Sequence, residues 1–150
     1  MSQEEKVKQA LVNKFSYLEG KINITRIKRI FLDTDLKNLA EIILYAKDEL
    51  RFNHLLTITG LDEGENLSFI YHLAHDSGLI LNIKVSVLKS SPVLKTIIPY
   101  FVSAEIYERE LVDLFGTKIE GLPAGNRYPL TDDWPAGEFP LRKDWHPAKD

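Results

Sequence analysis

Three strand-like segments follow one another in the middle of the chain, at about residues 54–61, 67–75 and 79–88. They are rich in β-branched and aromatic residues, which favour strands. The sequences between them, DEGEN and DSG, are short and turn-like, whereas parallel neighbours would need a crossover of a dozen or more residues. The three segments are therefore predicted to pair as an antiparallel meander.

Apolar and polar side chains alternate in the third of these segments. The alternation runs through Leu81, Asn82, Ile83, Lys84 and Val85. Successive side chains on a strand point to opposite faces, so one face of the predicted sheet is buried and the other is solvated or covered.

Helical periodicity is present in three other parts of the chain. Residues 2–15 and 36–44 place apolar residues three and four positions apart, which predicts amphipathic helices. A third helix is predicted at 103–115, with Ser103 as its N-cap and Gly116 closing its C-terminus. The expected core stripe of this helix consists of Ala104, Tyr107, Leu111 and Leu114.

Residues 22–30 are enriched in isoleucine and predict one further extended segment. Together these elements indicate an α+β fold, with a mostly antiparallel sheet of about four strands and helices packed on one face. Proline and glycine recur beyond residue 121, so regular structure is expected to end there. We therefore predict a domain at 1–121, followed by an extended C-terminal arm at 122–150.

The composition excludes several classes of function. The chain contains no cysteine, so it cannot form disulfides, hold an iron–sulfur cluster or a thiolate-bound metal, or use a cysteine nucleophile. The net charge of −3 gives no electrostatic reason to expect a nucleic acid as partner. His72 and His75 lie three apart on one predicted strand, so they should point to opposite faces and not chelate one metal. No apolar run reaches the ~18 residues that span a bilayer.

The predicted helix at 103–115 is densely charged. Glu105 precedes Arg109 by four residues, which is the favourable order for an ion pair on a helix. Asp113 lies in the last turn, where the helix dipole disfavours an anion, so it should need a cation from elsewhere. Arg127 and Arg142 are the candidates. Such a face is either simply solvated or used to position the arm or contact another chain.

The stretch from Glu108 to Gly116 resembles a family signature. Its residues Glu108, Arg109, Glu110, Asp113, Phe115 and Gly116 match the E-R-E-x-x-D-x-F/Y-G pattern of the 30-kDa (C-type) subunit of respiratory complex I and its hydrogenase relatives. The resemblance implies a subunit without a redox centre of its own. It also implies that the subunit packs against a large subunit, which holds a quinone site or a nickel–iron site, with iron–sulfur clusters in neighbouring subunits.

The arm favours one branch of that family. Residues 121–127, GLPAGNR, lack the histidine of the G-H-P-x-L-R-R-like segment usual in quinone-reducing members. Residues 128–144 resemble the L-P-D-D-W-P and Y-P-L-R-K-D run of membrane-bound energy-converting nickel–iron hydrogenases and formate hydrogenlyases. Some relatives are fused ahead of the large subunit, whereas the present sequence ends at Asp150, which favours a free-standing subunit.

The resulting expectation is a non-catalytic, cofactor-free subunit at the cytoplasmic face of a membrane, held there by its partners. The predicted interface residues are Glu108, Arg109, Glu110, Asp113, Phe115, Gly116, Arg127, Trp134, Arg142 and Trp145. In this interpretation the two tryptophans are interface anchors, although they could instead fill a core. The alternatives are the C-type subunit of a quinone-reducing NADH or F(420)H(2) dehydrogenase, and a stand-alone binding protein or enzyme that shares the fold.

Overall fold

The computed structural model describes residues 1–149, and Asp150, the last residue of the predicted arm, lies outside them. The helices and strands, in chain order, are α1 (Gln3–Lys14), β1 (Ile22–Arg26), β2 (Arg29–Asp33), α2 (Leu39–Asp48), β3 (His54–Asp62), β4 (Asn66–Ala74), β5 (Ile80–Leu88), β6 (Val93–Lys95), α3 (Ala104–Phe115) and β7 (Lys118–Glu120).

Five strands form the main sheet, in the order β1-β2-β5-β4-β3. β1 and β2 are antiparallel, and β2 runs parallel to β5, with Arg29 opposite Ile80. The meander from β3 to β5 is confirmed, because its strands are neighbours joined only by residues 63–65 and 75–79. The predicted α+β class with a mostly antiparallel sheet is therefore correct.

The number of strands differs from the prediction. Residues 22–30 were expected to form one extended segment, but the chain turns back within them and makes the hairpin of β1 and β2. The turn includes Lys28, whose φ is 59°, and it contains no glycine, proline or asparagine to mark it in the sequence. A second, two-stranded parallel sheet of β6 and β7 was not expected either.

The chain divides into two compact units. The first comprises residues 1–59 and 69–86, and the second comprises residues 60–68 and those from 87 onward. The predicted division after residue 121 differs from this one, because α3 and the whole described part of the arm belong to the second unit.

The first unit is built around the inward face of the strands. In β5, Leu81 and Ile83 are fully buried, whereas Asn82 and Lys84 are half-buried, as the alternation predicted. Helix α2 adds the fully buried Ile42 and other apolar residues. Among the described residues, no helix is both long and apolar enough to cross a membrane.

Helix α3 buries a different set of residues from the predicted stripe. Ala104 and Leu111 are buried as expected, but Tyr107 and Leu114 are only half-buried. The other buried positions are occupied by Glu108, Asp113 and Phe115. Hydrophobic periodicity could not reveal the two acidic residues, because it counts them as surface residues.

The predicted N-cap of α3 makes no capping bond. Ser103 precedes the helix, but its own backbone is helical (φ −62°, ψ −13°). Its side chain therefore accepts no hydrogen bond from the amides of the first turn. The amide of Ala104 instead donates to the carbonyl of Phe101, at 3.0 Å. A short helical turn therefore leads into α3.

Gly60 of β3 lies directly against the ring of Phe115 within the second unit. A Cβ added at Gly60 would lie 2.5 Å from that ring. We expect Gly60→Ala to destabilise the protein by about 1–3 kcal/mol, because the buried ring cannot withdraw without disturbing the core. The measurement is chemical denaturation of the purified variant.

A double variant provides the control for this steric explanation. Phe115→Leu alone should cost roughly 1–2 kcal/mol, and Gly60→Ala with Phe115→Leu should cost less than the sum of the two. Additive or greater destabilisation in the double variant would contradict the close packing of these two residues.

Candidate functional site: helix α3 and the C-terminal tail

Helix α3 ends at Gly116, and two separate features of the structure require a glycine there. Gly116 has a left-handed backbone (φ 71°, ψ 29°), and its amide donates to the carbonyl of Val112 at 3.1 Å. A Cβ at this position would also lie 2.5 Å from the ring of Phe139. Gly116 therefore ends the helix and lets the tail approach its end.

The tail supplies the positive charge that the C-terminus of α3 needs. Arg127 Nε lies 3.5 Å from Asp113 Oδ1, and the amide of Leu130 donates to Asp113 Oδ2 at 3.1 Å. This agrees with the expectation that Asp113 requires a cation, and the cation is Arg127.

Arg142 contacts the helix end in a different way. Its Nε donates to the carbonyl of Phe115 at 2.6 Å, and its guanidinium lies over the ring of Phe139. The amide of Leu141 donates to the carbonyl of Leu114 at 3.1 Å. Two carbonyls that the last turn leaves without helical partners are thereby satisfied by the tail.

Arg109, in the middle of α3, is hydrogen-bonded to the beginning of the tail. Its Nη2 donates to Glu105 Oε1 at 2.8 Å, which is the predicted ion pair, and to the carbonyl of Pro123 at 2.7 Å. Gly125 packs against the guanidinium, since a Cβ there would lie 2.7 Å from Nη2. The sequence indicated the pair but not the contact with the tail.

Glu108 is a buried carboxyl, with 1% of the residue exposed. Its Oε1 accepts hydrogen bonds from the hydroxyl of Thr96 and the amide of Ile97, both at 2.8 Å. Its Oε2 has no hydrogen-bond partner among the residues that the structure describes. Burial raises the pKa of Glu108 above its ordinary value, and the two hydrogen bonds offset this effect only in part.

The two tryptophans stack on each other. The ring centroids of Trp134 and Trp145 are 5.7 Å apart, with 35° between the ring planes. Trp134 Nε1 donates to the carbonyl of Glu138 at 2.8 Å, and Trp145 Nε1 donates to Glu138 Oε1 at 3.3 Å. Both rings are half-buried, so they fix the shape of the tail and still present part of their surface.

A second set of contacts, which the sequence did not indicate, holds the end of the tail. Asp62 Oδ2 accepts from Lys89 Nζ at 2.6 Å and from the amide of Lys143 at 2.8 Å. Lys89 also pairs with Asp144 at 3.1 Å, and the amide of Gly64 donates to Asp62 Oδ1 at 2.9 Å. The DEG sequence predicted only the turn, because the partners lie 27 and 81 residues away.

The lysine and the two amides shift the protonation of Asp62. Burial alone would raise the pKa of this carboxyl, but the Lys89 ammonium and the amides of Lys143 and Gly64 outweigh burial. The pKa of Asp62 is therefore held below its ordinary value of 3.8. Asp62 stays charged at neutral pH and binds the tail as an anion.

Some of the predicted interface residues are buried, and the others are half-buried. Glu108, Asp113 and Phe115 are buried, so they offer a partner little surface. Glu110 is half-buried, and its side chain has no hydrogen-bond or ion-pair partner among residues 1–149. Arg109, Arg127, Arg142 and the two tryptophans are half-buried and already bonded within the chain.

A groove of about 520 Å³ lies between the first part of α3 and the tail. It is lined by Arg109 and Arg127 and by three apolar residues that were not among the predicted interface residues. Val102 is 79% exposed, Ile106 44% and Tyr128 41%. We call the groove, with Val102, Ile106 and Tyr128, the α3–tail surface. No group of three or more histidine or acidic residues able to hold a metal occurs in the described part of the chain.

The family model described as "Respiratory-chain NADH dehydrogenase, 30 Kd subunit" matches residues 32–150. The protein therefore belongs to this family of complex I-related respiratory subunits, which confirms the resemblance of residues 108–116.

Individual relatives agree with this assignment. The chain is 31% identical over 140 residues to the C-type subunit of the F(420)H(2) dehydrogenase of Methanosarcina mazei, and the match covers 91% of this chain and 88% of that protein. Its fold is similar to a chain of the membrane-bound sulfane sulfur reductase, an archaeal respiratory membrane complex, with a TM-score of 0.85, 22% identity and coverage of 97% and 86%. It is also similar to a trypsin-resistant fragment of Nqo5, with a TM-score of 0.65, 26% identity and coverage of 79% and 99%.

The bonds to Asp62 predict a pH-dependent stability. Asp62→Asn should lower the stability at pH 7 by about 2 kcal/mol, since the amide nitrogen must face either the Lys89 and Lys143 donors or the Gly64 amide. Because the folded-state pKa is lowered, this difference should persist down to about pH 4.5 and shrink as the pH falls below 3.8. Thermal melts from pH 7 to pH 3 measure it.

Asp132→Asn is the matched control for this variant. Asp132 is exposed and makes no hydrogen bond or ion pair with the described residues, so this change should alter the melting temperature by less than about 2 °C. Equal melting curves for the two variants at pH 7 would contradict the role assigned to Asp62.

Glu108→Gln should show the opposite dependence on pH. Its folded-state pKa is raised, so the wild type should lose stability relative to the glutamine variant as the pH rises above 4.5. The glutamine oxygen can still accept from Thr96 and Ile97. The measurement is the difference between the two melting temperatures from pH 4.5 to pH 8. A difference that does not change over this range would contradict the burial of an ionisable group at this position.

Proposed function

We propose that this chain is a non-catalytic, cofactor-free peripheral subunit of a membrane-bound, energy-converting nickel–iron hydrogenase-type complex. In this proposal it docks on the large subunit and stabilises it, and iron–sulfur subunits are further neighbours. The large subunit and these neighbours would hold the redox centres, and they would also hold the chain at the cytoplasmic face of the membrane.

The observation that carries the docking role is the combination of a fixed tail with exposed apolar side chains. Arg109, Asp113 and Arg142 hold the tail through bonds to its backbone or to the helix end. The α3–tail surface leaves Val102, Ile106 and Tyr128 in solvent beside two arginines. Apolar anchors with a charged rim are typical of a protein interface. A surface whose shape is already fixed loses little conformational entropy on binding.

The hydrogenase branch is supported by the sequence of the tail. Residues 121–127 lack the histidine usual in quinone-reducing relatives, and residues 128–144 resemble the corresponding hydrogenase run. Leu141, Arg142 and Lys143 of that run all make backbone or side-chain bonds to α3 or β3.

A second candidate has an observation of its own. The similarity to the F(420)H(2) dehydrogenase protein of Methanosarcina mazei extends over 91% of the chain, which favours the C-type subunit of a quinone-reducing dehydrogenase. The stand-alone alternative differs from both, because it requires activity or ligand binding without a partner subunit.

Purification of the affinity-tagged chain from native membranes should discriminate between these functions. We expect a large subunit to co-purify and to contain two pairs of cysteines able to bind nickel and iron. A large subunit without those pairs would favour the second candidate. Turnover by the chain alone, with no partner recovered, would favour the stand-alone alternative.

Ile106→Asp tests the docking surface in the same experiment. A carboxylate in an apolar contact should lower the amount of co-purified large subunit at least tenfold, while the melting temperature of the isolated chain changes by only a few degrees. Leu44→Asp is the matched control, because Leu44 is a helical residue of α2 with similar exposure, 42% against 44%. Loss of the large subunit from both variants, or from neither, would contradict the proposed surface.

A further inference from the structure

A second surface lies entirely within the first unit, on the outward side of its strands. It is a shallow depression of about 420 Å³ that shares no residue with the α3–tail surface. Its apolar part is formed by Phe31, Leu56 and Ile80, which are exposed or half-buried. Arg26 and Arg29 line its charged part.

The two arginines face each other across the β1–β2 hairpin. Arg26 and Arg29 are partners in the antiparallel register, beside an irregularity between Ile24 and Arg26. Both line the depression, so their side chains lie on the same face. Like charges directly opposite each other on neighbouring strands are destabilising. The two guanidinium groups therefore repel each other, and this repulsion destabilises the hairpin.

No carboxylate within the described residues relieves this repulsion. The side chain of Arg26 makes no hydrogen bond or ion pair with residues 1–149. Arg29 donates only to the backbone carbonyls of Lys28, at 2.8 Å, and Gly78, at 3.4 Å. No aspartate or glutamate of the described chain lines the depression. Both guanidinium groups are therefore without a neutralising anion from this part of the protein.

Protection of a sheet edge explains one arginine but not the other. β1 is at the edge of the five-stranded sheet, where a charged residue such as Arg26 discourages pairing with another chain. Arg29 belongs to β2, which has a neighbouring strand on each side and needs no such protection. Edge protection therefore does not account for Arg29 or for its pairing with Arg26.

The polar floor of the depression is already occupied by internal bonds. Asn82 Nδ2 donates to the carbonyl of Ile30 at 3.0 Å. Its Oδ1 therefore accepts the hydrogen bond from His72 Nδ1, at 2.6 Å. His72 Nε2 lies 2.8 Å from the hydroxyl of Thr59. Both ring nitrogens of His72 therefore have partners, and the two arginines remain as the groups that can bind a ligand.

We propose that this depression binds an acidic segment of a neighbouring protein subunit, with carboxylates on Arg26 and Arg29 and an apolar side chain against Phe31 and Ile80. Guanidinium groups bind carboxylates through paired hydrogen bonds, and the unneutralised pair supplies the charge complementarity. The depression is open and only part of it is charged, which suits an extended polypeptide better than an enclosed small anion. The membership of the chain in a family of complex subunits makes a protein partner available.

Arg26→Glu tests this binding without removing any internal hydrogen bond. In the isolated chain it replaces a repulsive pair by an attractive one, so the melting temperature should stay the same or rise by roughly 1–3 °C. In native membranes, the tagged variant should retain at least tenfold less of its partner subunits than the wild type. Arg26→Gln, which only removes the charge, should have an intermediate effect.

The matched control is Lys37→Glu, which gives the same change in net charge. Lys37 is an exposed residue of the same unit, and its side chain makes no hydrogen bond or ion pair with residues 1–149. This variant should retain its partners within about twofold of the wild type. Equal retention by Arg26→Glu and Lys37→Glu would overturn the proposal.

The alternative to an acidic protein segment is a small anion bound in the depression. Calorimetric titration of the wild-type chain with inorganic phosphate and with free glutamate should show no saturable binding below millimolar concentrations. Tight phosphate binding that Arg26→Glu abolishes, with unchanged retention of partner subunits, would identify a phosphate site and overturn the acidic-segment assignment.

Discussion

The C-terminal end of α3 carries negative charge that the helix itself cannot neutralise. Its last turn contains no basic residue, yet it holds Asp113 and the free carbonyls at the end of the helix. The tail brings Arg127 and Arg142 to these groups, together with the amides of Leu130 and Leu141. Because these bonds are charge-assisted and partly shielded from water, they are stronger than ordinary surface contacts. These contacts fix the part of the tail that passes the end of α3.

Bonds at several separate points explain how a proline-rich tail without helix or strand can have a defined shape. Its own side chains cannot form a core, and proline removes backbone donors. Order is supplied at separate points along its length, by Arg109 near its start, by Arg142 at the helix end and by Asp62 near its far end. The stacked tryptophans restrict the loop between these points.

The sequence predicted those features that depend on local periodicity or local charge. The meander, the alternation in β5 and the pair of Glu105 with Arg109 follow from spacing alone. The need of Asp113 for a cation followed from the helix dipole, although the choice between Arg127 and Arg142 required the fold. The β1–β2 turn was missed because Lys28 takes a left-handed conformation without a residue type that signals it. The bonds of Glu108 and Asp62 were missed because their partners are determined by tertiary packing, which periodicity does not encode.

These contacts also give the family signature a physical meaning. Within Glu108–Gly116, the buried glutamate, the arginine, the aspartate and the glycine all hold either the β6 end or the tail in place. In this chain the signature therefore specifies how the tail is fixed. Under the proposed docking function, discrimination between partners would depend on outward side chains, such as Val102, Ile106 and Tyr128. Apolar anchors contribute mainly to affinity, whereas charged surfaces affect the rate and orientation of association. Under the two proposals, the apolar surface would mainly set how tightly the chain binds, and the basic surface would mainly set the orientation in which it binds.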